Sequence, residues 1–214
     1  MAQRYYSATI APAALDRDGF AAAQQLAGAG ALILNGVLST QLVRPRRPDI
    51  PRHVGIYSAG NLSAVTFTVV YLARNGATVT EALTGPNNST VETVGNCAEL
   101  VSVTASAAVG SDVEVGTTGA FETEWVPIDV SSPENFSVTS SYYLSGTANL
   151  TYTQQWTPEN IHAIGEQDIV DARNEANLTA KTATDTLSWD GRAKAVRTKV
   201  TLFVAGSFVV THQY

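Results

Sequence analysis

Two alternating runs, residues 63–72 and 77–83, meet at Asn75-Gly76, and this segment constrains the fold more than any other stretch of the 214 residues. In "SAVTFTVVYLARNGATVTEALTG", Val65, Phe67 and Val69 share a face with Tyr71, while Thr66 and Thr68 point the other way. That period of two is what a half-buried antiparallel strand requires. Asn-Gly accepts positive φ at both central positions of a type I′ turn, so residues 77–83 are expected to fold back as the partner strand.

Further strand-like runs follow at short intervals: "STVETVG", "AELVSVTASAA" and "SDVEVGTTG", separated by glycine-marked breaks. Such spacing points to a sandwich or barrel and not to alternating helix and strand. In "WVPIDVSSPENF", Pro127 and Pro133 are expected to mark a crossing between lobes or sheets. Beyond it, "FSVTSSYYLSGTANLTYTQQW" predicts a second hairpin turning at Ser145-Gly146-Thr147, and "RAKAVRTKVTLFVAGSFVVTHQY" a final one turning near Ala205-Gly206-Ser207. Between them, Ile164, Ile169 and Ala172 carry some helical periodicity. The expected class is all-β: antiparallel β-sandwich lobes, immunoglobulin-like or jelly-roll-like, at residues 53–126 and 127–214, with sheets that the two lobes can share.

Residues 1–52 have a different texture. "DGFAAAQQLAGAGALILNG" predicts a short helical turn over Ala21 to Leu26, broken by Gly28 and Gly30, with "ALILNG" running out as a strand. Its Gly-Ala-Gly lacks the third glycine of a dinucleotide loop. In "RPRRPDIPRH", Pro45, Pro48 and Pro51 favour an extended conformation that carries Arg44, Arg46, Arg47 and Arg52. The whole segment is expected to be an extended N-terminal arm, too apolar to float free and too glycine-rich to pack alone, that orders on a partner. Partner contacts are expected at those four arginines and at Leu32 and Leu34. Guanidinium matches carboxylate and phosphate alike, but 19 acidic against 13 basic residues, a net charge of −6, favour a protein partner over nucleic acid or anionic membrane. A solvated linker is the plainer alternative.

Candidate chemistry is sparse. His53, His162 and His212 lie far apart, and only His162 with Glu166 has helical ligand spacing, with no third ligand beside it. The carboxylate pairs Asp168 with Asp171 and Glu122 with Glu124 fit solvated faces better than a glycosidase site, which wants a cleft lined with aromatics. Cys97 is alone, which excludes an internal disulfide and a thiolate cluster. No Gly-x-Ser-x-Gly elbow and no phosphate loop occur. The expectation is a chain without catalytic residues, cofactor or metal. The first residues lack a basic head and apolar core, and no run of eighteen apolar residues occurs, so the chain is expected to be soluble and made in the cytosol. The Asn-x-Ser/Thr sequons then reflect composition.

Several stretches resemble small structural proteins of tailed bacteriophages: "IYSAGNLSAVTFTV", "ATVTEALTGPN", "VSVTASAAVGSDVEVGT" and "RAKAVRTKVTLFVAGSFVVT". Ser58 to Asn61, Glu81 to Asn87, Val101 to Thr117 and Leu144 to Thr147 match that group's turn and strand patterns, while "YLARNGA" and residues 158–177 depart from them. The resemblance implies a virion protein, made in the bacterial host cytoplasm, that decorates or cements the head shell. Its implied partners are the major capsid protein, other virion proteins and further copies of itself, as a trimer by family expectation. A tail or head-to-tail connector protein is the alternative reading, and a carbohydrate-binding sandwich a further one.

Overall fold

A computed structural model describes residues 5–43, 45–128, 137–161, 169–190 and 193–213. The protein is all-β and forms two units, one spanning Leu15–Phe121 and the other combining the chain up to Ala14 with the chain from Glu122 onward. The first strand, β1 (Tyr5–Ile10), belongs to the second of these.

The unit Leu15–Phe121 is a β-sandwich. Its strands are β2 (Ala21–Leu26), β3 (Gly30–Ala31), β4 (Val54–Asn61), β5 (Thr66–Leu72), β6 (Thr78–Thr84), β7 (Asn87–Glu92), β8 (Glu99–Ala105) and β9 (Val109–Thr117), with a helical turn, α1 (Val37–Thr40), between β3 and β4. They form two four-stranded antiparallel sheets, β2-β9-β4-β7 and β3-β8-β5-β6. Val54, Ile56, Val113 and Val115 of the first sheet and Phe67, Val69, Tyr71, Leu100 and Val103 of the second are all buried in one cluster. Interdigitation of two inner faces in this way defines the sandwich, and each such side chain contributes about 1.5–3 kcal/mol.

The hairpin expected at Asn75-Gly76 forms, with Leu72 opposite Thr78. Its turn is not type I′. Gly76 alone has positive φ, at 83°; its N–H donates to the Ala73 carbonyl, the Ala73 N–H donates to the Ala77 carbonyl, and Asn75 Oδ1 accepts from the Ala77 N–H. This is a type I turn closed by a left-handed glycine, so only the residue without a Cβ leaves the ordinary region.

Two expectations for residues 1–52 are corrected. Ala21–Leu26 is a strand, paired with β9 through Ala21 opposite Val115 and Leu26 opposite Val109. Alanine and glutamine favour helix, but six residues cannot nucleate one against cross-strand bonding, and the Gln24 side chain bonds both the N–H and the carbonyl of Ile33. Nor do residues 15–52 stand apart as an arm. Phe20 and Ala21 are fully buried, Leu32 is nearly so, and Leu34 and Leu38 pack against the same core. A Cβ on Gly36 would lie 2.2 Å from the Asp18 carbonyl oxygen, so the glycine texture serves close backbone packing. The boundaries fall after Ala14 and Phe121, where residues 52 and 126 were expected.

The other unit also contains β10 (Phe121–Glu122) at the junction, β11 (Val126–Pro127), β12 (Ser137–Thr157), β13 (Arg173–Asn174), β14 (Asp185–Asp190) and β15 (Ala195–Gln213). The expected hairpins over residues 136–156 and 192–214 are instead single strands of 21 and 19 residues, β12 and β15, that pair with each other. Ser145 lies opposite Ser207 and Asn149 opposite Ala205, so residues 146–148 bulge against Gly206. Gly206 has φ 98°, and a Cβ there would sit 2.5 Å from Ala148 Cα. The two glycine-bearing stretches face each other, and facing glycines make a bulge where isolated ones would make turns. The strands β1 and β12 flank the C-terminal part of β15, with Ile10 and Leu144 both opposite Phe208. Of the residues behind the helical expectation, Ile164 lies outside the described residues, and Ile169 and Ala172 are in irregular chain before β13. Pro127 pairs with β15 opposite Ala195, and Pro133 is outside the described residues.

The interior of this unit is partly polar. The Tyr142 and Tyr152 rings stack 4.3 Å apart, Ser140 Oγ and His212 Nδ1 lie 3.0 Å apart, and His212 meets the edge of Tyr142 and stacks on Tyr6. Burial lowers His212 to about 4 from its ordinary 6.5.

Two outcomes follow for stability. Phe20→Ala lowers the unfolding free energy by about 3–5 kcal/mol in guanidinium titration, because a fully buried ring is lost; a free-standing arm would leave it unchanged. As pH falls through 6.5 the unfolded chain protonates His212 while the folded chain resists until about 4. Stability is therefore complete above pH 6.5 and drops by about 3 kcal/mol on the way to pH 4. His212→Asn flattens that part of a denaturation-versus-pH profile.

Candidate docking face

The alternation that buries one face of β5, β6 and β8 leaves the other to solvent. Across it, Thr66 lies opposite Thr84, Thr68 opposite Ala82, Val70 opposite Thr80 and Leu72 opposite Thr78. On the other side of β5, Thr68 faces Thr104 and Val70 faces Ser102. Thr66, Thr78, Thr80, Ala82, Thr84 and Thr104 are exposed. The register slips between Val70 and Tyr71, which makes Val101 an extra residue on β8 and turns it outward, 40% exposed. Ala31, opposite Thr104, extends the surface, and beyond it along the chain Ile33, Val37, Leu42 and Val43 are exposed apolar side chains.

This surface carries almost no charge. On the outward side of the three strands only Glu99 is ionisable, and it is paired with Arg47. Strand spacing and rise give the face roughly 300–400 Å² in plan. It is hydroxyl- and methyl-rich, and threonine Oγ both donates and accepts, so it fits flat neutral surfaces and not phosphate or other strongly charged ones.

The expected contact residues are placed differently from one another. The Arg52 side chain is fully buried and pairs with Asp49, while its backbone bridges to Cys97. Leu32 and Leu34 face the core. Arg46 and Arg47 are exposed, but they strap residues 45–47 along β8: the Arg46 carbonyl accepts from the Leu100 N–H, its Nη1 donates to the Val101 carbonyl, and Arg47 pairs with Glu99. Arg44 is outside the described residues. Sequence reasoning chose the inward leucines of "ALILNG" and missed the outward Ile33 between them; the period-two pattern was the available signal.

The candidate catalytic groups are dispersed. Glu122 is buried with Lys199 Nζ 3.7 Å away, and Asp171 is held by Arg173, which keeps its carboxyl below the usual range. His162 and Asp168 lie outside the described residues. Among the described residues no three of His, Cys, Asp or Glu gather to hold a metal, and no helix is long and apolar enough to cross a membrane. Arg197 covers the Trp125 ring at 4.6 Å and Arg173 the Trp156 ring at 5.1 Å, so neither presents a bare platform for a sugar. Cys97 is fully buried, and burial, with Glu99 nearby, pushes its thiol up to about 12.

No family model, no curated protein and no solved structure matches the chain.

Thiolate is the reactive form of cysteine, and a thiol held near 12 supplies almost none of it at neutral pH. Native protein therefore leaves Ellman's reagent uncoloured, and one equivalent of colour develops at the rate of unfolding when denaturant is added. Rapid reaction of the native protein would contradict the buried placement.

Proposed function

We propose that this chain is a structural component of a tailed-phage virion, a decoration or cement protein that adheres to the head shell through the outer face of the sheet β3-β8-β5-β6. The observation that carries the reading is that face: an ordered, neutral, threonine-rich surface on an otherwise acidic chain. The motif resemblance supplies the setting. The protein partner is the major capsid protein or another virion protein, met by shape and neutral hydrogen bonding, not by charge attraction.

Thr68 and Thr104 sit opposite each other near the middle of the face, so carboxylates there would be buried unpaired on docking. A Thr104→Glu variant, at the exposed member of that pair, unfolds within about 0.5 kcal/mol of wild type and loses at least tenfold in affinity for shells stripped of the chain, measured by co-sedimentation. Unchanged binding by the variant removes the face from the mechanism. Gel densitometry of intact particles places the chain on the shell if copies number in the hundreds, and on the tail or connector if they number a few dozen or fewer.

A further inference from the structure

We infer that Asn75 is a site of spontaneous modification: in the native protein its side-chain amide is lost through a cyclic imide to give aspartate and isoaspartate, while the fold protects the second Asn-Gly pair, Asn35-Gly36. The sequence holds these two Asn-Gly pairs and no other. In such a pair the glycine nitrogen attacks Cγ of the asparagine. The N–Cγ bond forms, the Cγ–Nδ2 bond breaks, and ammonia leaves with its third hydrogen taken from the glycine N–H. Water then adds across either C–N bond of the imide and leaves a free carboxylate. Glycine favours the attack because no Cβ screens its nitrogen and its backbone turns freely. The chemistry is the same at both pairs, so their surroundings decide which one reacts.

Asn75 and Gly76 are exposed at the tip of the β5–β6 hairpin. A Cβ built on Gly76 would have no atom within 4 Å, so water and a turning backbone have room there. Attack needs the Gly76 nitrogen released and brought to about 3–3.5 Å from Cγ. The bond that opposes its release runs from Gly76 N–H to the Ala73 carbonyl at 2.9 Å. Below it the hairpin stays closed, through the Ala73 N–H bond to the Ala77 carbonyl and the pairing of Leu72 with Thr78. Breaking one exposed hydrogen bond slows the reaction by no more than about tenfold relative to the unfolded chain. Each asparagine also holds Oδ1 in a 3.0 Å bond from a backbone N–H, Ala77 for Asn75 and Ala22 for Asn35, so that feature does not separate them.

What separates them is the glycine. Asn35 is exposed, but Gly36 is buried. Its N–H donates to the Phe20 carbonyl at 3.0 Å, and its carbonyl accepts from the Ser39 and Thr40 N–H groups of α1. Gly36 lies so close to the chain at Asp18 and Gly19 that a Cβ would sit 2.4 Å from the Gly19 carbonyl oxygen. Releasing its nitrogen displaces the backbone beside Phe20, whose ring is fully buried, and beside Leu34 and Leu38, which pack against the same core. Opening a packed segment of this kind is far rarer than fraying of a hairpin tip. At Asn75 either product adds one negative charge to a chain of net charge −6, and isoaspartate also lengthens the main chain inside the turn that sets the β5–β6 register. The inference rests on the two turns and holds whatever the chain binds.

The test ages the native full chain in warm, mildly alkaline buffer, digests samples under mildly acidic conditions that halt the reaction, and maps the peptides by mass spectrometry with aspartate and isoaspartate resolved. Asn75 converts at least tenfold faster than Asn35. In denaturant the two pairs convert at similar rates, which assigns the difference to the fold and not to neighbouring side chains. An Asn75→Gln variant, whose longer side chain closes a ring poorly, loses the acidic species that wild type accumulates on ion exchange. Equal native rates, faster conversion of Asn35, an Asn75 that stays intact while the denatured chain reacts, denatured rates that differ as the native ones do, or an acidic species undiminished in Asn75→Gln would each overturn the proposal.

Discussion

The burial of two facing rows of apolar side chains governs the unit Leu15–Phe121. Val54, Ile56, Val113 and Val115 meet Phe67, Val69, Tyr71, Leu100 and Val103, and water is excluded between them. Because side chains alternate across a strand, committing these residues inward commits Thr66, Thr68, Thr80 and Thr104 outward. The neutral face is thus the complement of the core, and its regular spacing follows from the strand pairing that the core enforces. A one-residue slip would exchange the two sets.

The segment before β4 shows how the same core recruits unpromising sequence. Phe20, Ala21 and Leu32 supply apolar surface, and glycines supply close approach, so a stretch with little intrinsic structure becomes one end of both sheets. The strap of residues 45–47 along β8 follows from Arg46 and Arg47, whose charges are spent mainly within the unit. An exposed pair such as Arg47 with Glu99 adds less than about 1 kcal/mol, so the strap is held more by backbone bonding than by charge.

Open sheet edges are a hazard that the unit meets strand by strand. Shortness protects β3, irregular pairing protects β2, a left-handed Asn88 bends β7, and an inward-pointing Glu81 blunts β6 at mid-strand. The unit with β12 and β15 solves a different problem, the length of its strands, by opposing Gly206 to the bulge at residues 146–148. Its polar interior holds His212 against Ser140 and Tyr142, where burial keeps the imidazole neutral.

The all-β class, the β5–β6 hairpin and the inward set Val65, Phe67, Val69 and Tyr71 were legible in the sequence, because alternation and turn chemistry act between residues close along the chain. The same local rules placed Thr66 and Thr68 on the outer face. What lay beyond them depended on distant partners. Whether Ala21–Leu26 coils or extends is decided by β9, nearly ninety positions away, and whether Gly206 turns the chain or bulges it is decided by what stands opposite. Leu32, Leu34 and Arg52 read as contact residues only until the core closes over them. By itself the sequence determined the period of the strands whose residues alternate, such as β5 and β6, and the chemistry of their two faces. Only the tertiary structure decided which stretches pair and which edges remain open, because cross-strand hydrogen bonds and packed side chains join residues whose separation along the chain carries no local signal.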